Sequence, residues 1–333
     1  MQKIGKNKKY IVIIAIFVLF CLGGGIWKAD RIYRSVNNIK VDVGKKIEFR
    51  KMHQEIIDVG KKEPLIDENN AWYTRYHFIA HAGGGINGRT YTNSLEAWEN
   101  SYQLGNRVFD ADFTFTIDGE LVLLHSWNDN LENRDSDSMH ESRIYIDDNG
   151  HVQYVIRGEA VTYRKFMNQK IYYLYTPMSC EDMIKFMVEH EDLYVACDVK
   201  DDVELSYRYI VDKALELGEE DVLDRVIVNI YSYDTYDIIM DIYPFKNVTA
   251  RQHKIQPNNY YELADFCLSH NIHVVNLSAC YIEDEGVQLL IDKGIHVYVA
   301  VADYISDMKD YYMLGADGAV TNWLCEDDWG WVE

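Results

Sequence analysis

From about residue 76 onward, short runs rich in β-branched and aromatic residues alternate with amphipathic helical patterns, and this alternation limits the possible folds most strongly. The predicted strands are 78–82, 107–115, 121–125, 193–199, 225–231, 247–252, 272–278, 295–301 and 318–322. The predicted helices with the clearest pattern are 179–190, 204–218 and 283–294. Strand–helix units repeated over about 250 residues are typical of a parallel barrel. The sequence therefore predicts an α/β fold, a distorted TIM-type (β/α)8 barrel.

Nine predicted strands are one more than an eight-stranded barrel needs. The run 121–125 follows Ile117–Gly119, a tight-turn signal that favours a hairpin return over a helical crossover. Residues 126–178 then form a long, charged, tyrosine-rich insertion after the third strand. We expect this insertion to be a small subdomain or a lid over the barrel mouth, with an unstructured loop as the alternative.

The amino-terminal segment precedes this alternation. Residues 1–9 are rich in lysine and residues 10–27 carry no charge. A helix over the uncharged run would be about 27 Å long, close to a hydrocarbon core of about 30 Å. We predict a cytoplasmic basic N-terminus at 1–9, a transmembrane signal anchor at 10–27, an extracytoplasmic stalk at 28–70 and the barrel domain at 71–333. The lysines orient the anchor so that the catalytic domain lies outside the cell membrane. A cleaved signal peptide and a cytoplasmic domain are the alternatives.

The charge of the barrel domain excludes one class of partner. From residue 70 onward, 19 Lys and Arg residues stand against 46 Asp and Glu residues. A nucleic-acid partner is excluded because such binding needs a basic surface. An anionic substrate would have to be neutralised locally, by a metal or by a few well-placed cations, because the general field of the domain repels anions.

The stretch FIAHAGGGINGRTYTNSLEAW, residues 78–98, is open to several interpretations. Its glycines Gly83–Gly88 match a dinucleotide-binding fingerprint, and the same loop misses a phosphate-binding P-loop by carrying Arg89 where lysine belongs. Either nucleotide site needs a helix that begins at the glycines, whereas Asn93 and Glu96 form a capping pair that predicts a later start. A lipase-type oxyanion loop is disfavoured because the chain has no G-x-S-x-G motif.

Acidic side chains converge at the ends of two predicted strands. Asp110 and Asp112 are two residues apart on one strand, so they point to the same face. Two buried aspartates cannot both stay ionised without a cation, although a solvated face is the alternative. Asp198 ends another buried strand, and Lys200 follows two residues later. Oxygen ligands of this kind suit Mg²⁺ or Ca²⁺ better than Zn²⁺.

Two histidines complete the candidate site. His81 and His125 each end a predicted strand, where barrel enzymes keep their chemistry. Histidines that do not bind the metal are available for general acid–base catalysis. Each feature alone has a bland structural explanation, but their coincidence at four strand ends indicates an active site.

In order and spacing, these residues resemble the glycerophosphodiester phosphodiesterase family. The matching elements are His81, N-S-L-E-A at 93–97, D-x-D at 110–112, T-x-D-G at 116–119, His125, D-x-K at 198–200 and G-A-D-G-A-V-T-N at 315–322. The resemblance covers about residues 77–325. It implies one divalent cation, Ca²⁺ or Mg²⁺, held by Asp110, Asp112 and Asp198. It also implies that His81 and His125 act as base and acid, in an order that the sequence leaves open, and that Lys200 contacts the phosphate.

The chain departs from the family pattern at positions that bear on the substrate. Ala82 replaces the arginine of the usual His-Arg pair, which makes Arg89 or another cation the candidate for binding phosphate. Asp110 and Asp198 stand where the family has glutamates, so each carboxylate is one methylene shorter. The D-x-K motif is also similar to the related sphingomyelinase D branch of the same barrel.

The predicted function is metal-dependent hydrolysis of a phosphodiester. The resemblance implies cleavage of glycerophosphodiesters, or of glycerol-phosphate envelope polymers or head groups, to a phosphomonoester of the glycerol 3-phosphate type and an alcohol. One alternative is a phospholipase C- or D-like enzyme acting on intact lipid. The other is a catalytically weakened barrel that binds envelope phosphodiesters.

Overall fold

The computed structural model describes residues 71–127, 144–146, 152–154, 160–172, 174–251, 259–282 and 285–332. The predicted cytoplasmic segment, signal anchor and stalk therefore lie outside the described residues. Among the helices within these ranges, none combines the length and the apolar character that a membrane span requires.

Strands in the described ranges form two sheets. They are β1 (Phe78–Ala80), β2 (Val108–Phe115), β3 (Leu121–Leu123), β4 (Ile144–Ile146), β5 (Val152–Tyr154), β6 (Gln169–Lys170), β7 (Tyr194–Val199), β8 (Val226–Ile230), β9 (Asn247–Arg251), β10 (Val274–Ser278), β11 (His296–Ala300) and β12 (Gly318–Thr321). Parallel pairing runs in the order β1, β2, β7, β8, β9, β10, β11 and β12. Because β12 pairs with β1, the eight strands close into a ring. The predicted barrel is confirmed.

The extra predicted strand, 121–125, corresponds to β3 and lies outside the ring. β3 pairs with β2 in antiparallel register, after a turn in which the Gly119 N–H donates to Thr116 O at 3.0 Å. Gly119 has φ of 85°, which glycine adopts without the penalty a side chain would bring. β4, β5 and β6 follow as a separate antiparallel sheet within the predicted insertion.

Helices alternate with the barrel strands, as the sequence pattern predicts. They are α1 (Leu95–Gln103), α2 (Tyr163–Met167), α3 (Cys180–Glu189), α4 (Val203–Leu217), α5 (Asp234–Ile242), α6 (Tyr260–Ser269), α7 (Glu285–Asp292), α8 (Ile305–Met313) and α9 (Glu326–Trp329). Local signals explain their ends: Ser179 and Asp182 form a capping box on α3, and Gly218 ends α4 in the left-handed conformation.

The interior of the barrel is apolar at one end and polar at the other. The apolar layer consists of Ile79, Val108, Ala196, Ile227, Val274, Tyr298 and Val320, and Trp72 packs against it with its ring 5.4 Å from that of Tyr298. Alternation along a strand brings the residue two positions later to the same side. The next layer toward the carboxyl ends is therefore mainly polar and includes His81, Asp110, Asp198, Asn229, Arg251, Asn276 and Asn322.

The glycine loop after β1 packs closely against α1. Ser101 donates from Oγ to the carbonyl oxygen of Gly83 at 2.8 Å. A Cβ atom on Gly83 would lie 2.1 Å from Trp98 Cδ1, and one on Gly84 would lie 2.0 Å from Ser101 Oγ. Both glycines also have positive φ. These glycines therefore let the backbone lie against a face of α1. The helix begins only at Leu95, well after the glycines, whereas a nucleotide site would need a helix that begins at them.

Replacing Gly83 by alanine is expected to lower the free energy of unfolding by at least about 2 kcal/mol, since it adds both a clash and a left-handed side chain. Gly88→Ala is the matched control, because Gly88 has a similar φ of +76° but nothing within 4 Å of the place that a Cβ atom would take. The control should lose only about 1 kcal/mol, from the backbone conformation alone. Equal losses in urea unfolding would contradict the packing role of Gly83.

Candidate active site

Three buried carboxylates meet at the polar end of the barrel. Asp110 and Asp112 point inward from β2, and Asp198 points inward from the neighbouring β7, opposite Asp112 in the register. Ligand atoms of the three carboxylates all lie within 4.8 Å of one another. The sequence-based grouping of these residues therefore corresponds to a real cluster that could hold a metal ion.

Lys200 neutralises part of this cluster. It follows β7 directly, and its Nζ lies 2.8 Å from Asp112 Oδ1 and 2.7 Å from Asp198 Oδ2. Asp112 and Asp198 together raise the pKa of Lys200 against the opposing effect of burial, so the ammonium stays charged. Lys200 thus lies where the sequence prediction expects a cation.

Arg251, the last residue of β9, is a site residue that sequence reasoning missed. Its side chain is only 5% exposed, and its Nη1 lies 2.7 Å from Asp198 Oδ2 and 3.4 Å from Asp110 Oδ1. Nη1 also donates to Tyr231 Oη at 3.1 Å, and Tyr231 donates in turn to Asp198 Oδ1. An arginine at the carboxyl end of a predicted barrel strand was the available signal.

The charges in the cluster do not cancel. Burial raises the pKa of Asp110; Arg251 opposes this increase, and the neighbouring Asp198 and Asp112 add to it. Burial also disfavours ionised Asp198, but Arg251 and Lys200 hold its pKa well below the usual range. Asp110 Oδ2 is buried without a hydrogen-bond partner among the described residues. Three carboxylates and two cations leave one excess negative charge. Of the three carboxylates, Asp110 is the one whose charge is compensated least.

A divalent cation fits this donor set. The three carboxylates offer oxygen ligands of the preferred type, and Asp110 has an oxygen without a hydrogen-bond partner among the described residues. A bound divalent cation would change the net charge of the cluster from negative to positive. A positive site is what a phosphodiester monoanion requires, whereas the cluster of side chains alone would repel it.

Asp110→Asn is expected to raise the free energy of unfolding of the metal-free protein by roughly 0.5–2 kcal/mol, because it removes the least compensated charge in the cluster. Urea unfolding in chelator would measure this gain. The same variant should lose most of the stabilisation that added Ca²⁺ or Mg²⁺ gives the parent protein. A variant that is less stable in chelator would show that the charge of Asp110 is well compensated.

His81 is held by a chain of hydrogen bonds from the last barrel strand. Its Nδ1 lies 3.1 Å from Asn322 Oδ1, and Asn322 Nδ2 donates to both carboxylate oxygens of Asp303, at 3.1 and 2.9 Å. Because the amide nitrogen of Asn322 faces Asp303, its oxygen accepts from His81, so Nδ1 carries the proton. This leaves Nε2 for reaction. The roles of Asn322 and Asp303 were not predicted.

His125 interacts electrostatically with the same cluster, and Tyr91 contacts both histidines. The Tyr91 ring centroid is 4.4 Å from that of His81 and 5.5 Å from that of His125, with edge-to-face geometry in both pairs. Burial lowers the pKa of His125 even though Asp112 and Asp198 act to raise it. The imidazole of His125 is therefore neutral at pH 7.

The protonation of His125 gives a measurable pH dependence. In NMR titration of the metal-free protein, the midpoint of His125 should fall below 6.5, its ordinary value. Asp112→Asn should lower this midpoint further, because the Asp112 carboxylate favours the charged ring. The unfolded chain then binds the proton first, so the contribution of His125 to stability is complete above pH 6.5 and is lost as the pH falls toward the folded midpoint. A midpoint at or above 6.5 would contradict this environment.

Asn93 belongs to the site and does not cap the helix, so that prediction was wrong. The cap of α1 is Ser94, whose Oγ accepts from the Ala97 N–H. Asn93 is buried and donates from Nδ2 to Asp112 Oδ2 at 2.9 Å, while its Oδ1 accepts from the Asp112 N–H at 3.2 Å. The hydrogen-bond partner of Asn93 is therefore Asp112 and not the backbone at the start of α1.

The described contact of Arg89 is not with the carboxylates. Arg89 is exposed, and its guanidinium carbon is 4.5 Å from the ring centroid of Tyr172 in the insertion. Nearby, Asn87 donates to Tyr175 Oη at 3.1 Å. The insertion thus contacts the glycine loop beside the barrel mouth, and Arg89 serves that contact.

Comparison with solved structures gives the same barrel. A glycerophosphodiester phosphodiesterase from Parabacteroides distasonis matches with 14% sequence identity and a TM-score of 0.55, over 77% of this chain and 96% of that chain. An Oleispira antarctica phosphodiesterase in complex with the product sn-glycerol-3-phosphate matches with 13% identity and a TM-score of 0.56, over 75% of this chain and 95% of that chain. No protein-family model and no curated protein matches. The family resemblance of the sequence motifs is thus confirmed at the level of the fold.

Proposed function

We propose that this chain, which has the barrel of the glycerophosphodiester phosphodiesterases, is a metal-dependent hydrolase that cleaves glycerophosphodiesters to a phosphomonoester and an alcohol. The observation that carries the proposal is the convergence of three buried carboxylates, Lys200 and two histidines at one end of the barrel. The glycerol 3-phosphate product bound to the Oleispira antarctica enzyme supports a product of the same type here.

Asp110, Asp112 and Asp198 would hold one divalent cation, Ca²⁺ or Mg²⁺, which when bound supplies Lewis-acid polarisation of a phosphoryl oxygen. Asn93 orients Asp112 through two hydrogen bonds, so this carboxylate is fixed before any ligand arrives. Lys200 then provides a positive charge for the phosphate beside the same carboxylates.

The histidines divide the proton transfers. His125 is the base, since burial keeps its imidazole neutral and able to take the proton of the neighbouring glycerol hydroxyl that attacks phosphorus. This attack expels the alcohol and forms a cyclic phosphate, which water then opens to the phosphomonoester. His81 is the acid, since the Asn322 and Asp303 chain supports a proton on Nδ1 while Nε2 delivers one to the leaving alcohol oxygen. Tyr91 packs edge-to-face with both rings and supports their positions.

A substrate panel tests the proposal directly. The full-length chain would be incubated with glycerophosphocholine, glycerophosphoethanolamine and a glycerol-phosphate polymer, with Ca²⁺ or Mg²⁺ and in excess chelator. We expect a phosphomonoester that appears only with the metal. Full activity in chelator would exclude the metal-dependent mechanism. Absence of turnover on every diester, with binding intact, would favour a barrel that binds without cleaving.

Hydrolysis of intact lipid is a second candidate. Exposed Val301 and Tyr304 follow β11, and exposed Trp323 follows β12, so apolar side chains lie beside the active-site end of the barrel. Such side chains favour contact with acyl chains. A higher rate on phosphatidylcholine than on its deacylated head group would support this candidate over the first.

We also propose that residues 10–27 anchor the catalytic domain to the outer face of the cell membrane, from the lysine-flanked uncharged run in the sequence. Membrane fractions resistant to alkaline carbonate, in which the barrel is digested by external protease, would support this location. A chain recovered in the soluble fraction would contradict it.

A further inference from the structure

Arg251 uses its guanidinium in an unusual way for a buried cation. All of its described hydrogen bonds come from Nη1, which contacts Asp198, Asp110 and Tyr231. Nε is buried without a partner among the described residues. A guanidinium has five N–H donors in a rigid fork, and a buried donor left unpaired is costly. The free donor indicates that Arg251 is built for a further ligand.

The partners of Arg251 are the same carboxylates that would bind the metal. Asp198 Oδ2 forms ion pairs with both Arg251 Nη1 and Lys200 Nζ, and Asp110 Oδ1 lies 3.4 Å from Arg251 Nη1. A divalent cation and a guanidinium compete when both are drawn to one carboxylate, because each weakens the field that attracts the other. Metal binding would therefore release Arg251 from part of its contacts.

Arg251 is also better placed than Arg89 for contact with a phosphate at the cluster. Ala82, beside His81, is fully buried and carries no charge, and Arg89 stacks on Tyr172. Arg251 is the arginine that the described structure places at the carboxylates. Guanidinium groups bind phosphate through paired N–H donors, for which Nε and the two Nη atoms have the right geometry.

We propose that Arg251 is an internal counter-ion that the divalent cation displaces, and that the displaced guanidinium then binds the phosphate of the substrate. The inference rests on the proposed function and adds an order to it: the metal binds first and thereby creates the phosphate site. Metal and phosphate binding are then positively coupled, and Arg251 is the residue that couples them.

Direct binding measurements on the full-length chain test this inference without any turnover. Calorimetry would give the affinity for Mg²⁺ and Ca²⁺, and then the affinity for glycerol 3-phosphate in chelator and at saturating metal. We expect Arg251→Gln to bind the divalent cation at least about tenfold more tightly, because a competitor is gone. At saturating metal it should bind glycerol 3-phosphate at least about tenfold more weakly. Opposite changes in the two affinities are the signature of the proposed role.

Arg225→Gln is the matched control. Arg225 is a partly buried arginine that donates to the carbonyl oxygens of His190, Leu193 and Met187, before β8 begins at the other end of the barrel. Its loss should leave both affinities unchanged, so effects of general destabilisation are separated from effects at the site. Arg251→Lys keeps the charge without the fork and should change both affinities less, and in the same directions, than Arg251→Gln.

The outcomes distinguish this inference from the proposed function. Unchanged or weaker metal binding by Arg251→Gln would overturn the displacement, and unchanged glycerol 3-phosphate binding would overturn the phosphate contact. Should circular dichroism show that Arg251→Gln does not fold, Arg251→Lys decides by the same two criteria. Absence of turnover on every diester would sink the proposed function, but it would leave the two binding results intact.

Discussion

His81→Asn is expected to lower kcat on a glycerophosphodiester by about 10²–10⁴-fold, the usual contribution of one general acid or base. Asparagine keeps a polar group that can still hydrogen-bond to Asn322, but it has no proton to deliver to the leaving alcohol. The loss should appear in kcat with little change in metal affinity, since the described hydrogen bond of His81 goes to Asn322 and not to a carboxylate. Steady-state kinetics at saturating metal would measure it.

His270→Asn serves as the control for this experiment. His270 follows α6 on the outside of the barrel, where its Nδ1 lies 2.8 Å from Phe266 O. The control should keep the kcat of the parent protein. A His81→Asn enzyme within about threefold of the parent would exclude His81 from proton transfer, because even weak acid catalysis exceeds that factor.

Asp198→Asn is expected to remove divalent-cation binding and to lower the free energy of unfolding by about 3–5 kcal/mol. Asp198 is the carboxylate that both Lys200 and Arg251 contact at 2.7 Å, so its loss leaves two buried cations with fewer partners. Urea unfolding at pH 7 in chelator would measure the stability, and calorimetry would measure the metal affinity.

Asp110→Asn is the matched comparison for the effect of Asp198→Asn on the free energy of unfolding. Both substitutions replace a buried aspartate of the cluster by its amide, yet their effects on stability should have opposite signs. The pKa of Asp198 is lowered by its cations, and the pKa of Asp110 is raised by burial and by its neighbours. A loss of similar size in both variants would mean that the excess charge is shared evenly among the three carboxylates.

Local sequence signals predicted the barrel and most of the side chains that meet at the candidate site. Asp110 and Asp112 could be placed on one face because alternation along a strand is independent of the rest of the chain. The position of β3 outside the ring followed from the tight turn before it. In each case the evidence lay within a few residues of the feature that it predicted, and the structure agrees.

Arg251 could not be assigned in this way because its partners are remote in sequence. Asp198 and Asp110 precede it by 53 and 141 residues, and they meet it only when the strands close into a ring. Its own strand, Asn247–Arg251, has the pattern of an ordinary barrel strand. Arg89, by contrast, is one candidate for a phosphate-binding cation in the sequence, whereas its described partner is a tyrosine of the insertion.

For Asn93, a local sequence pattern was present but predicted the wrong partner. The spacing of Asn93 from Glu96 has the form of a helix cap, which is a purely local pattern. In the folded chain Glu96 accepts instead from the backbone and hydroxyl of Thr176, and Asn93 turns to Asp112. Tertiary partners therefore override a local preference of about 1 kcal/mol.

The apolar layer at one end of the barrel has a consequence for molecular traffic. Within the described residues, Ile79, Val108 and their neighbours fill the interior beneath the carboxylates, and Trp72 covers them. Under the proposed function, substrate and both products therefore enter and leave through the same opening. A polymeric substrate would then not be threaded through the barrel and would be cut only at a chain end or in a segment looped into the opening, and each departing phosphomonoester would compete with the next substrate for entry.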